Sequence, residues 1–327
     1  MDISGFRPWR WALLALVTPV PATAAGQATP AEPRQVSAPA GAPAAAPAAV
    51  REPTTTSVPM PNRALRHSVV VREDKARFVA HVVEIDLSAA DVAFVTTPAD
   101  VSGGMEFVAL RTSSVLDRLH ALLAVNASYF LPFAGGSPGG EDYYPHEGDP
   151  ANASGAVVAS GAVASPVETD LDLRVNAILC FEGLAIAIAD GQVCPAGFSS
   201  GIAAGPRMLA SGVRRSFETF DNNYAATPQP RTAIGISADR KRAWIVVVDG
   251  RQKGYSDGAT LAALSTLFLE LGASDAINLD GGGSSTLAVA GEDGAAQVIN
   301  RPIHTGVPGR ERPVANHLVL VPLAQKP

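Results

Sequence analysis

The chain has 327 residues, with 25 Lys and Arg against 31 Asp and Glu and a formal net charge of −6. That balance leaves no basic footprint for nucleic acid, so no nucleic-acid partner is expected. With 47% apolar and 17% charged residues the chain can bury a core, and past the N-terminus nothing reaches the ~20 apolar residues of a membrane helix.

Residues 1–25 read as a signal peptide, with Arg7 and Arg10, an apolar run from Trp11 to Val20, and small residues at Ala22, Ala24 and Ala25. The run is shorter than a full span, which favours a cleaved signal over an anchor. The expectation is an exported protein, periplasmic or in the cell envelope or extracellular, with no membrane span once the signal is removed. Residues 26–65 read as a disordered Ala/Pro-rich linker, because Ala and Pro make up about half of Gly26 to Asn62 and few large apolar side chains offset the entropy of ordering. Five Arg and three acidic residues fall within 1–65, leaving 20 basic and 28 acidic side chains in residues 66–327. An acidic body must hold any anionic substrate by a local cluster of donors.

Apolar bursts of strand length follow at His81 to Leu87, Val92 to Thr96, Leu122 to Phe130, Leu171 to Phe181, Leu184 to Ala189, Thr232 to Ile236, Ala243 to Val248, Ala276 to Leu279 and His317 to Val321. Helical spacing occurs twice. Leu110, Leu116 and Leu119 fall within Met105 to Leu122, and Leu261, Leu264, Phe268 and Leu271 stripe a helix from about Thr260 that Gly272 ends. Many strands and few helices without βαβ alternation predict an α+β fold, a single domain over 66–327 with a mixed, mostly antiparallel sheet. Cys180 and Cys194 are the two cysteines. They either close a loop of about 15 residues, for ~3 kcal/mol in the chain-entropy model, or stay as buried thiols; two cysteines without nearby His do not make a zinc site.

The densest chemical signal is Ala276-Ile-Asn-Leu-Asp280-Gly-Gly-Gly-Ser-Ser-Thr286, a strand running into three glycines and three hydroxyls. Gly281, Gly282 and Gly283 would let successive N–H groups converge on an anion as a nest, helped by Ser284 and Ser285, while Asp280 brings a carboxylate to the same place. A tight turn with Asp280 as an Asx residue is the alternative. The run lacks the P-loop lysine and is no nucleophile elbow. Asn126 ends an earlier strand with an amide that can donate and accept. Arg231, beside Thr232, puts a guanidinium at a strand start, suited to phosphate or carboxylate. Asp249 ends the strand after that.

These segments, in this order, resemble the phosphodiester glycosidase family, to which the catalytic domain of N-acetylglucosamine-1-phosphodiester alpha-N-acetylglucosaminidase is related. The matching runs are NASYF (126–130), GPRML (205–209), RTAIG (231–235), VDGR (248–251), SDGATL (256–261), INLDGGGSST (277–286) and GRERPVAN (309–316). Ala127 and Ser128 stand where the family has two glycines, and Ala259 replaces its usual Met or Val. The stretch Pro132 to Pro150 contributes Glu141, Asp142, Tyr143, Tyr144, His146, Glu147 and Asp149, and a loop this long reads as a sugar-binding lid, with Tyr144 and His146 at the substrate, or as a mobile insertion.

The resemblance implies hydrolysis of a sugar-1-phosphodiester, GlcNAc-1-phosphodiester-like, in glycans or envelope polysaccharide. On that reading Asp280 activates water, Arg231 and the Gly281–Ser285 loop hold the phosphate, Asn126 and Asn316 orient sugar hydroxyls or the water, Arg310 or Arg312 adds a donor, and Asp249 is the reserve carboxylate. No cofactor is certain; a divalent cation between Asp280 and Asp249 is the alternative. The competing roles are a non-catalytic polysaccharide-binding or exopolysaccharide assembly protein, favoured if NASYF closes the site, and a serine hydrolase using Ser284 or Ser285 with His304 or His317. Protein partners are not indicated.

Overall fold

Residue alternation along two neighbouring strands sets the architecture. In Arg231–Ser237 and Arg242–Val248, Ile234, Ile236, Ile245 and Val247 point into one apolar cluster while Ala233, Trp244, Val246 and Val248 point into another. Side chains alternate across a sheet, so these strands are covered on both faces. The computed structural model describes residues 55–73, 76–89, 91–131, 143–168 and 174–323; the expected signal peptide, most of the spacer and the first part of the Pro132–Pro150 stretch lie outside them.

The two strands sit centrally in an eight-stranded sheet ordered Thr55–Val58, Leu65–Glu73, Arg77–Asp86, Arg242–Val248, Arg231–Ser237, Ala273–Asn278, Arg207–Ala210 and Val213–Arg214. On one face Leu261, Leu264, Leu267 and Phe268 of helix Leu261–Leu271 cover the sheet. Gly235 permits this packing, since a Cβ there would lie 2.5 Å from a Phe268 ring carbon. The other face meets two five-stranded sheets, one centred on Leu123–Asn126 and His317–Pro322, the other on Ala177–Glu182 and Ser200–Ala204. Helix Thr112–Leu119 closes the outer side of the first of these through Val115 and Leu116, against Ala124, Ala288 and Val319. Every strand pairing among the described residues is antiparallel; one isolated bridge, Ile303 to Arg310, is parallel. The sheets are thus antiparallel, with few helices.

Helix Leu261–Leu271 is capped as the sequence predicts: the Thr260 side chain accepts from the Ala263 N–H and Gly272 ends it in the left-handed region. The other helix starts at Thr112 rather than Met105, because Phe107–Val108 pairs with Pro150–Ala153 and Leu110 bridges Val314. The spacer boundary also moves. Thr55–Val58 pairs with Leu65–Glu73, and Ala64 and Leu65 pack in the core with Val83 and Ile85. Cys180 and Cys194 form a disulfide, with Cα atoms 5.7 Å apart.

Candidate active site

Antiparallel pairing of Ala233 with Asn278 carries Arg231 and Asp280 to the same edge of the main sheet. There they line a cleft of about 410 Å3 with Tyr129, Tyr143, Tyr144, Arg174, Tyr224, Arg251, Gly281, Gly282, Gly283 and Arg312. Asp280 is the one carboxylate among the described lining residues.

The Asp280 loop is held from behind. Asn126 donates from Nδ2 to the Asp280 carbonyl at 2.6 Å, and its Oδ1 accepts from Thr232 Oγ1 and the Thr286 N–H. The Asp280 N–H donates to the Ala127 carbonyl at 2.8 Å. The side chain accepts from the Gly281 N–H at 2.8 Å and from the Ser284 hydroxyl. Burial raises the Asp280 pKa above the ordinary carboxylate value; Ser284, Arg312, the Gly281 N–H and Arg174 oppose the rise. Such a carboxylate is a stronger base than a solvated one.

The three glycines serve close approach more than anion capture. A Cβ on Gly283 would lie 2.2 Å from Arg312 Nη2, and one on Gly282, where φ is +62°, 3.2 Å from Arg251 Nη2. The glycines therefore let two guanidiniums lie directly on the loop. The expected N–H nest is not what the loop offers. The N–H groups of Gly281, Gly282, Ser284 and Ser285 go to Asp280 Oδ1, Pro230 O, Gly281 O and Gly282 O, so the cleft's anion donors are guanidiniums. Ser284 is turned to Asp280 and Arg312, whereas Ser285 and Thr286 bury hydroxyls without a hydrogen-bond partner among the described residues.

Arg312 is buried, donates from Nη1 to Ser284 Oγ and from Nε to His304 Nδ1, both at 3.2 Å, and stacks 3.7 Å from the Tyr144 ring centre. Arg231 is also buried; its Nε donates to Ala259 O at 3.1 Å and its Nη2 to Tyr224 O, which commits two of its five donors. Burial lowers the pKa of both arginines, with Asp280 countering it at Arg312. The Tyr129 and Tyr224 hydroxyls share a hydrogen bond at 2.6 Å, the other proton goes to Gly205 O, which lies within reach of both, and both face Asn278 Nδ2. Burial pushes the Tyr224 phenol up to about 12, which keeps it protonated.

The structure relocates several expected site residues. Asn126 and Thr232 are fully buried and hydrogen-bond behind the loop instead of facing the cleft. Asn316 is likewise buried, accepting from the Ser128 N–H and donating to Ser128 Oγ. Arg310 does not line the cleft; its Nη1 donates to Thr305 Oγ1 at 3.1 Å. His146 is exposed outside the cleft, 3.6 Å from Asp149, while Tyr143 and Tyr144 do line it. Asp249 sits elsewhere, buried, with Oδ1 accepting from Asn300 Nδ2 and the Arg301 N–H, and Oδ2 from the Tyr255 hydroxyl. Burial would raise its pKa, but His81, Tyr255 and Arg301 bring it below the ordinary value. Asp249 does not line the cleft that holds Asp280, and no group of three His, Cys, Asp or Glu with metal-binding geometry occurs among the described residues. Among the described residues Ser285 Oγ has no hydrogen-bond partner and Ser284 Oγ is turned to Asp280 and Arg312, while His304 Nδ1 accepts from Arg312 and His317 Nδ1 lies 3.2 Å from Thr97 Oγ1. Arg251, inside the VDGR run, and Tyr129, inside NASYF, are cleft residues that motif reading passed over; Tyr224 and Arg174 carry no motif at all.

A basic carboxylate ringed by guanidiniums and tyrosine faces defines a polar cleft for an anionic ligand, with acid–base chemistry at its floor. The chain belongs to the phosphodiester glycosidase family, whose model matches residues 120–321. No curated protein matches it in sequence. Among solved structures it is similar to the catalytic domain of zebrafish N-acetylglucosamine-1-phosphodiester alpha-N-acetylglucosaminidase, auto-inhibited by its pro-peptide, at 17% identity and TM-score 0.57 over 83% of this chain and 88% of that one. A hypothetical protein from Synechocystis matches at 15% identity and TM-score 0.54, over 83% of this chain and 64% of that chain. A protein from Burkholderia pseudomallei K96243 described as exported matches at 16% and 0.53, over 76% and 75%. At these identities the likeness is one of fold.

Proposed function

We propose that the protein is an exported hydrolase that releases a sugar from a sugar-1-phosphodiester in glycans or envelope polysaccharide. The observation that carries this reading is the lone carboxylate among guanidiniums in the described cleft. Ordinary glycosidases flank the bond with two carboxyl groups, one to protonate the leaving oxygen. A phosphate leaving group, with a second pKa of ~6, departs as a stable anion and needs charge stabilisation instead. Asp280 takes the proton of a water that attacks the anomeric carbon, the carbon–oxygen bond to phosphate breaks, and Arg312 and Arg251 hold the phosphomonoester formed. Arg231 braces Tyr224 and the cleft wall. The tyrosines offer ring faces to the sugar.

A purely binding role would fit a closed site, but with Ala127 buried and Ser128 tied to Asn316 the cleft keeps its volume. The test is incubation with UDP-GlcNAc and a sugar-phosphate-sugar, assaying free sugar and new phosphomonoester, with Asp280→Asn alongside. Release by the wild type alone supports the reading; no release from either substrate by folded protein refutes it for GlcNAc-type phosphodiesters. Export is tested by fractionating cells that express the full chain.

A further inference from the structure

Arg251 keeps its place in the Asp280 cleft against two opposing effects. Its φ is +57°, a left-handed backbone that is unfavourable for a residue with a Cβ and that gathers at functional sites. It also crowds two other cations, lowering the pKa of both Arg231 and Arg312. One hydrogen bond holds the side chain. Arg251 Nε donates to Gln229 Oε1 at 2.7 Å, and the guanidinium has no other hydrogen bond or ion pair among the described residues. Its Nη2 and Nη1 lie over Gly282, 3.2 and 3.4 Å from where a Cβ would stand. Arg251 is exposed and Gln229 half-buried, and both line the cleft.

Gln229 is itself fixed by the chain around it. It stands between Pro228 and Pro230, and a proline keeps the residue before it extended. Its N–H donates to Ala259 O at 3.2 Å, its carbonyl accepts from the Ala259 N–H at 2.9 Å, and Pro230 O accepts from the Gly282 N–H at 2.9 Å. Three glycines press on this stretch. A Cβ would lie 2.6 Å from Pro230 N if placed on Gly250, 2.4 Å from Gln229 C on Gly258, and 2.8 Å from Pro230 O on Gly281. The glycines of the VDGR, SDGATL and INLDGGGSST runs thus close around Pro228-Gln229-Pro230, whose one side chain with hydrogen-bonding groups is Gln229.

An arginine donates and never accepts, so the oxygen of the Gln229 amide, and not its nitrogen, faces Arg251. That acceptor carries no charge. A carboxylate in its place would hold Arg251 and also cancel its charge; the amide holds the guanidinium by Nε and leaves the charge, with the Nη1 and Nη2 pair, to an anion. We propose that Gln229 is a positioning residue for phosphate recognition, fixing Arg251 so that its two terminal nitrogens meet the substrate phosphate together. The proposal rests on the reading of Arg251 as a phosphate donor. Gln229 acts through Arg251 and not on the reacting atoms.

The test is calorimetric binding of UDP to the full chain, which needs the phosphate donors and no turnover. Gln229→Met, close in size but without an acceptor, is expected to weaken UDP binding roughly tenfold, as for one hydrogen bond to a charged group, with the melting temperature unchanged. In an Arg251→Ala background the same substitution should change binding by less than about twofold, since it has nothing left to act through. Arginine NMR reads the position directly. The Arg251 Nε–H signal, identified by its loss in Arg251→Ala, should be protected from solvent exchange in the wild type and in Gln229→Glu, which keeps the acceptor, and unprotected in Gln229→Met. The proposal is overturned by a wild type that binds no UDP, by a Gln229→Met protein within about twofold of wild type, by an equal loss in the Arg251→Ala background, or by Nε–H protection that ignores the Gln229 substitutions. Binding that follows the expected pattern in a protein that releases no sugar overturns the hydrolase reading and leaves the role of Gln229 standing.

Discussion

Replacing Gly283 by Ala separates folding from function at the cleft. Gly283 does not have the left-handed φ that would demand glycine, so the backbone accepts alanine. The new Cβ, however, would sit 2.2 Å from Arg312 Nη2 and 2.7 Å from its Cζ, and the guanidinium must retreat by about 1 Å to reach ordinary contact. The long side chain can yield. Its hydrogen bonds to Ser284 and His304 then weaken, at about 0.5–1.5 kcal/mol each, so the protein folds with a loss of about 1–3 kcal/mol. A misplacement of about 1 Å at a phosphate donor costs on the order of 10²-fold in rate, about 2.7 kcal/mol of transition-state stabilisation. The assay is kcat/KM on UDP-GlcNAc together with a thermal melt, with Arg312→Ala measured in parallel. A Gly283→Ala enzyme within about threefold of wild type would refute the argument that the glycine exists to admit Arg312. So would equal activity in Arg312→Ala.

Asp280→Asn should lower turnover by roughly 10²–10⁴-fold without lowering the melting temperature. Burial makes the folded state prefer the protonated acid, so ionised Asp280 is a burden above its raised pKa and an amide removes it. The rate should therefore fall as pH drops through that raised pKa, with an acid limb above the ordinary carboxylate range that Asp280→Asn abolishes in the pH–rate profile. Cys180→Ser with Cys194→Ser should cost ~3 kcal/mol in denaturant unfolding and leave the Asp280 cleft, which neither lines, chemically intact. Asp249→Ala should destabilise by several kcal/mol in the same assay, because the Asn300 amide, the Arg301 N–H and the Tyr255 hydroxyl each lose a buried acceptor at about 1–3 kcal/mol.

The Asp280 loop was legible because three glycines in a row after a buried strand have few uses, and helix Leu261–Leu271 because its cap, stripe and stop agree. Val92–Thr96 has the same bounds in the structure as in the sequence. The side-chain roles were less legible. An asparagine at a strand end reads alike whether it faces a ligand, as expected of Asn126 and Asn316, or the back of a loop, as both do. Glycines that free N–H groups for an anion also free space for guanidiniums, and only the positions of Arg251 and Arg312 decide between the two. Tyr224, on the short helix Asn222–Ala225, and Arg174, on a turn, reach the cleft through the strand order, which no local pattern encodes.

Asp249 and Asp280 show the same limit at the level of the sheet. Arg242–Val248 and Ala273–Asn278 both pair antiparallel with Arg231–Ser237, so they run in one direction and end at the same edge, each followed by an acidic residue. Sequence pattern makes the two equivalent. Topology sets them two strands apart, roughly 10 Å at ordinary strand spacing, with the start of the Arg231 strand between them. Arg231 sends its donors to the Ala259 and Tyr224 carbonyls on the cleft side, and Asp249 turns to Asn300, Arg301, Tyr255 and His81. Asp280 is left as the one carboxylate among the described residues of the cleft. Its partner became an internal anchor, whose amide ligand Asn300 also donates to the Ser285 carbonyl at 3.0 Å, so Asp249 helps hold the loop that carries Asp280.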